Sequence, residues 1–136
     1  MSFSLDGHVA LVTGSSTGLG KITARNLATA GAKVAVNFAN NRERAEESFA
    51  EFEQLGCEGM LVQADVTSEA EVDRMFNEIE SNLGPVDIVV ANATPDQPLL
   101  PIEEYDWEFY ESMINFFIKS PYLLARRALP HMKAKK

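Results

Sequence analysis

The sequence predicts an α/β domain, an open parallel sheet flanked by helices in three α/β/α layers. Three observations carry this. Short apolar runs alternate with amphipathic helical stretches along the whole chain. The runs lack the alternating polarity of a sheet with one wet face, so each strand is expected to be covered on both sides. A glycine-rich turn joins the first run directly to a helix. At 136 residues the chain is short enough to form one domain.

The first run is Val9, Ala10, Leu11 and Val12, and the helix beyond the glycine turn carries Ile22, Leu27 and Ala28 before Gly31 ends it. The second run is Val34, Ala35 and Val36. The next helix places Ala45, Phe49 and Phe52 at spacings of four and three on one face, with Arg44, Glu46, Glu47 and Glu51 opposite. A third run, Met60, Leu61 and Val62, leads to Asp65 and Val66. Ser68 and Glu71 then have the spacing of a capping box, Val72, Phe76, Ile79 and Leu83 form a buried stripe, and Gly84-Pro85 stops the helix. The fourth run, residues 86–91, is the most apolar strand. A loop containing Pro95, Pro98 and Pro101 precedes a long helical region from about residue 102 to 129. Pro121 must kink or divide that helix, because proline has no N–H to donate. The chain is expected to stop after this fourth strand and long helix.

Apolar residues make up 46% of the chain and charged residues 24%, the balance of a soluble globular protein. Twenty acidic against twelve basic residues leave a net charge of −8, which argues against nucleic acid or an anionic membrane as partner. The basic tail of Lys133, Lys135 and Lys136 is too short to reverse that. Cys57 stands alone, and no Cys/His cluster points to a metal. The first residues lack the pattern of a signal peptide, and no apolar run approaches the ~20 residues of a membrane span. A cytoplasmic protein is expected. His8 and His131 are isolated, and Trp107, Phe109, Tyr110, Phe116 and Phe117 read as packing surface.

The turn itself reads Thr13-Gly14-Ser15-Ser16-Thr17-Gly18-Leu19-Gly20. Glycines let the chain turn sharply and let backbone N–H groups approach a ligand; the helix beyond carries unpaired donors suited to a pyrophosphate. Strand, glycine turn and helix near the start of an alternating chain are the context of a Rossmann-like dinucleotide site. Residues 5–14 with Gly18 and Gly20 resemble the opening of the short-chain dehydrogenases/reductases, most nearly the 3-oxoacyl-acyl-carrier-protein reductase type. Asp65-Val66, Asn92-Ala93 and the Ala128-Leu129-Pro130-His131-Met132 stretch fall where that family has its next landmarks. Ala91 and Thr94 replace the outer members of the family's Asn-Asn-Ala-Gly.

The resemblance implies a chain whose residues 1–136 are the dinucleotide-binding part of an oxidoreductase acting on a carbonyl or alcohol. Its expected cofactor contacts are Gly14, Ser16, Thr17, Gly18, Leu19, Gly20, Asn37, Phe38, Asn40, Arg42, Asp65, Val66, Asn92 and Ala93. An acid at the end of the second strand would accept the ribose hydroxyls of NAD and repel a 2′-phosphate. Phe38 occupies that place, and Asn37, Asn40, Asn41 and Arg42 can donate, so NADP(H) is favoured over NAD(H). NADP-using relatives often have Arg or Lys where Thr17 stands, and Phe38 offers an alternative role in stacking near the adenine.

The family's catalytic serine and Tyr-x-x-x-Lys are absent, so no catalytic residue is assigned. Tyr122 with Arg126 copies the spacing, but it lies on the earlier helix and arginine is not a tunable amine. The position of the family's helix asparagine is occupied by Phe117, with Asn115 two residues out of register. Pro121 lies four residues after Phe117 and has no N–H, so the Phe117 carbonyl is expected to lose its intrahelical partner and to offer a place for a relay water. Family members commonly associate through this helix, which implies a homo-oligomer. The alternatives to an enzyme half are a catalytically inactive truncated chain and a stand-alone nucleotide-binding module.

Overall fold

The computed structural model describes residues 3–135; Lys136 of the basic tail and the first two residues lie outside it. Four strands, β1 (Val9–Val12), β2 (Lys33–Phe38), β3 (Gly59–Gln63) and β4 (Ile88–Val90), form one parallel sheet in the order β3-β2-β1-β4. Between them run α1 (Gly18–Thr29), α2 (Arg42–Gln54) and α3 (Glu69–Asn82), and after β4 come α4 (Trp107–Ile114) and α5 (Ser120–Ala134).

The unbroken apolar runs have a direct cause. Successive strand side chains point to opposite faces. Val9, Leu11, Ala35 and Val62 pack with Val72, Phe76, Ile79, Leu123 and Leu124 of α3 and α5. Ala10, Val12, Val34 and Val36 pack with Ala24 and Phe52 of α1 and α2. Both faces of the sheet are covered, so the strand positions that enter these two clusters are apolar.

Helix boundaries follow the sequence with local corrections. On α1 the buried residues are Gly20 and Ala24, while Ile22 is 49% exposed. A glycine and an alanine let this helix lie close to the sheet, which leaves the bulkier Ile22 outside. Half of the capping box forms. Ser68 Oγ accepts from the Glu71 N–H at 3.4 Å, but the Glu71 carboxylate reaches the Asp65 N–H instead, at 3.1 Å. The fourth strand is shorter than residues 86–91, as suits a strand paired only with β1 among the described residues.

The long helical region resolves into a 3₁₀ turn at Ile102–Glu104, then α4, a π turn at Asn115–Lys119, and α5. In the π turn the Ser120 N–H bonds to the Asn115 carbonyl, five residues back. The wider turn ends where Pro121, with no N–H, enters the first turn of α5. Proline therefore re-registers the helix rather than breaking it. Carried one residue further, the five-residue spacing sets Pro121 against the carbonyl of Phe116 and not that of Phe117, the one an α-helical spacing predicts.

At the amino end of the sheet, Asp87 ties three elements together. Its carboxylate accepts from the Val9 N–H at 3.0 Å, from His131 Nε2 at 3.0 Å and from Lys135 Nζ at 2.8 Å. The side chain is 7% exposed. Burial alone would raise its pKa; the bonds from Lys135, Val9 and His131 outweigh that and lower it to about 2. His131, isolated in sequence, is thus a structural partner of Asp87. A depressed carboxyl pKa adds stability above its unfolded value that disappears as pH falls towards the folded value. Asp87 is therefore expected to contribute about 2 kcal/mol near neutrality, lost between roughly pH 4 and pH 2. Urea unfolding of the native chain and Asp87→Asn should differ clearly at pH 6 and converge towards pH 2; a gap independent of pH would refute this role.

Candidate functional site

The carboxyl ends of β1 and β4 open onto a cleft of about 660 Å³, within the size range of small-molecule sites. The chain order reverses between these two strands, since β1 has β2 on one side and β4 on the other. Ligands of open α/β sheets bind at such switch points. Gly14, Ser16, Thr17, Gly18 and Leu19 line the cleft, as do Asn37, Phe38 and Asn40 after β2, Asp65 and Val66 after β3, and Asn92 and Ala93 after β4.

Two glycines shape the turn. Gly14 has φ +60°, and a Cβ there would lie 2.8 Å from the Ala93 Cα. A Cβ on Gly20 would come within 2.5 Å of both the Gly14 carbonyl and Asn92 Nδ2. Gly20 does not line the cleft; it lets α1 close against the turn. Gly18, by contrast, has open space where a side chain would go.

The helix starts differ in a way that bears on chemistry. Asn41, Ser68 and Asp106 cap α2, α3 and α4 with side-chain acceptors, but Thr17 gives α1 no side-chain cap. Among the described residues, the N–H groups of Ser16, Gly18 and Leu19 also lack partners. Orphan donors at a helix start, with the partial positive charge of its dipole, suit an anion. The cradle thus fits a pyrophosphate: open space at Gly18, unpaired donors, and no competing carboxylate cap.

Behind the cradle, buried polar groups fix the turn. Asn37, 1% exposed, accepts from the Gly14 N–H at 3.0 Å and donates towards the carbonyls of Phe38, Val62 and Ala64 at 3.2–3.4 Å. Its amide is therefore spent on backbone and is not the free phosphate donor that the sequence suggested. The Thr13 hydroxyl accepts from the N–H groups of Asn92 and Ala93 at 2.9 and 3.0 Å. Asn92 Nδ2 donates to the carbonyls of Thr13 and Gly14 at 3.0 and 3.1 Å. Thr13 escaped the sequence reading; a buried hydroxyl ending an all-apolar strand was its signal.

Arg42 needs correction. Its guanidinium donates to Gln63 at 2.8 Å and to Glu46 at 3.4 Å, and lies 5.5 Å from the Phe38 ring centroid. It is absent from the cleft, and Arg44 lines it instead. Phe38, 2% exposed and covered by Arg42, has no free face for an adenine. Asp65 turns one oxygen towards the Thr67 N–H and hydroxyl at 2.9 and 2.7 Å. Ala39, Ala64, Thr94, Pro95, Asp96 and Phe116 complete the lining. Phe116, expected from the sequence to be packing surface, lies in the π turn and lines the cleft.

The remaining candidates lie elsewhere. Neither Asn115 nor Phe117 lines the cleft. Tyr122 is 60% exposed, and Arg126 pairs with Glu69 at 2.7 Å. Trp107 and Phe117 are exposed too, while Tyr105 stacks on Phe109. No group of three or more metal-ligating side chains occurs among the described residues. No helix among them is long and apolar enough to cross a membrane.

Comparison with known proteins agrees with this architecture. A curated short-chain dehydrogenase/reductase of Pestalotiopsis microspora is 38% identical over 130 residues, covering 96% of this chain and 49% of its own. The structure of L-sorbose reductase from Gluconobacter frateurii, complexed with NADPH and L-sorbose, matches with TM-score 0.88 and 29% identity over 99% of this chain and 51% of that one. The gluconate 5-dehydrogenase of Burkholderia cenocepacia, in complex with NADP and tartrate, matches with TM-score 0.85 and 31% identity, covering 98% and 52%. The chain spans about half the length of the curated relatives it matches. With the short chain dehydrogenase family model matching residues 8–136, over a parallel sheet whose switch point carries the glycine cradle, the chain belongs to the short-chain dehydrogenase/reductase family.

Proposed function

We propose that residues 1–136 form the dinucleotide-binding part of an NADP(H)-dependent oxidoreductase acting on a carbonyl or alcohol substrate. The observation that carries this reading is the uncapped start of α1 beneath the open Gly18, at the switch point between β1 and β4. When bound, a nicotinamide dinucleotide supplies or accepts the hydride. The chain's own part is to bind and orient. The N–H groups of Ser16, Gly18 and Leu19 would hold the pyrophosphate, Asp65 and Val66 the adenine end, and Asn92 and Ala93 the floor beneath the reactive half. NADP complexes of two similar structures support the choice of cofactor. The substrate class, including the 3-oxoacyl-acyl-carrier-protein reductase type, rests on the resemblance of the opening segment.

The catalytic serine and the Tyr-x-x-x-Lys pair of the family have no counterpart in the cleft. We therefore assign binding rather than proton transfer to these residues, in a cytoplasmic protein. Exposed Trp107, Ile114, Ile118 and Tyr122 along α4, the π turn and α5 support a homo-oligomer. A stand-alone nucleotide-binding module is the second reading.

Separate titrations with NADPH and NADH test the cofactor assignment. NADPH is expected to bind at least about tenfold tighter, or ~1.4 kcal/mol. Equal or tighter NADH binding overturns the preference, and binding of neither overturns the site.

A further inference from the structure

We propose that Gln63, which does not itself line the cleft, is a positioning residue for the adenine end of the dinucleotide and acts through Ala39; the inference rests on the dinucleotide-binding reading above. The parallel pairing of β2 with β3 runs out at Phe38 and Gln63. Its last main-chain bond joins the Ala64 N–H to the Phe38 carbonyl at 3.0 Å. Beyond that point the two chains become separate walls of the cleft, Ala39 and Asn40 from β2 and Ala64, Asp65 and Val66 from β3.

The two walls are held differently. On the β3 side, Asp65 gives its N–H to Glu71 at 3.1 Å, and its carbonyl accepts from the Ser68 N–H at 3.1 Å, so the start of α3 fixes this wall from behind. On the β2 side, Gln63 Nε2 donates to the Ala39 carbonyl at 2.9 Å. No other hydrogen bond reaches the main chain of Ala39 or Asn40 among the described residues. The side-chain amide thus adds one rung past the end of the sheet, where the main chain no longer supplies one. Release of Ala39 would let this wall drift from the other, and a flat ring held between them would lose contact with one side.

Gln63 is itself braced for this task. Its Oε1 accepts from Arg42 at 2.8 Å, and its carbonyl accepts from the Arg74 guanidinium on α3. Arg42 also reaches Glu46 and lies over the Phe38 ring. With the amide oxygen engaged by a guanidinium, the NH₂ group is aimed the other way, at the Ala39 carbonyl. Only a side chain with an acceptor and a donor on one planar group serves both neighbours. The rung is exposed to water, so its net worth to folding is small. Its effect is therefore expected in binding rather than in stability.

The test compares the native protein with Gln63→Met and Gln63→Glu, each checked by circular dichroism and thermal unfolding. Methionine keeps the length of the side chain and loses both bonds; glutamate keeps the acceptor for Arg42 and loses the donor to Ala39. Dissociation constants are measured for AMP, which reports the adenosine end, and for inorganic pyrophosphate, which reports the glycine turn alone. Both variants are expected to weaken AMP by about 3- to 10-fold, to leave pyrophosphate within about twofold, and to unfold within a few degrees of native. The pyrophosphate arm also controls for the charge that glutamate adds. Gln63→Glu binding AMP as native does overturns the route through Ala39, and Gln63→Met doing so overturns any positioning role. Equal loss of AMP and pyrophosphate, or a large fall in Tm, shows a merely structural residue and overturns the proposal as well. A native protein that binds neither ligand fails the dinucleotide reading instead, before any variant is compared.

Discussion

Replacing Gly14 with valine should remove both dinucleotide binding and a large part of the fold's stability. At φ +60° an L side chain pays about 1–2 kcal/mol for the left-handed backbone. The new Cβ would also sit 2.8 Å from the Ala93 Cα, a main-chain atom that cannot swing aside. Together these predict a loss of about 4 kcal/mol and a Tm lower by roughly 10–15 °C. Gly18→Ala makes the comparison informative. It shares the positive φ but meets nothing within 4 Å, so it should cost about 1–2 kcal/mol while obstructing the ligand. Thermal unfolding and NADPH titration of both variants separate the roles. Near-native stability in Gly14→Val would contradict the close packing of the turn against Ala93.

Asn37→Asp is expected to be nearly as damaging, by a different route. The substitution swaps an N–H₂ group facing three carbonyls, those of Phe38, Val62 and Ala64, for an oxygen. An ionised carboxylate there would be buried against acceptors and would lack donors on that side. The loss should be about 3–5 kcal/mol at neutral pH. Burial and repulsion raise the folded pKa of the introduced carboxyl, so the penalty is small below about pH 4 and grows as pH rises. Asn37→Ala should cost about 2–3 kcal/mol without that pH dependence. Urea unfolding at pH 4 and pH 7 distinguishes the two; a constant Asn37→Asp penalty would show that the amide lies in a wetter place.

Much of this was readable from the sequence, because the physics concerned was local. Val9–Val12 announces a doubly covered strand by its lack of polar alternation, and helix signals marked α2 and α3 through the spacing of Ala45 and Phe52 and the Ser68 cap. Twelve of the fourteen expected contact residues line the cleft, because a glycine turn and strand ends at the switch point converge whatever the side chains beyond. What escaped depends on direction and partnership across the fold. Nothing local says that Asn37 spends its amide on β3, or that Arg42 turns to Gln63 while Arg44 faces the cleft. Similarly, Pro121 signals a disturbance in the helix, but a π turn that carries Phe116 to the cleft depends on how the two helical segments pack.

The fastening of the glycine turn to the sheet has a kinetic meaning. Gly14 and Ser15 give their N–H groups to the side-chain and main-chain oxygens of Asn37, at 3.0 and 2.8 Å, and Ser15 Oγ holds the Asn37 N–H at 3.1 Å. The loop has its working shape before any ligand arrives, anchored from behind by a strand interior rather than from the front by the molecule it receives. An incoming pyrophosphate therefore has little loop disorder to quench. Encounter should pass to the bound state without a slow folding-over step at this end.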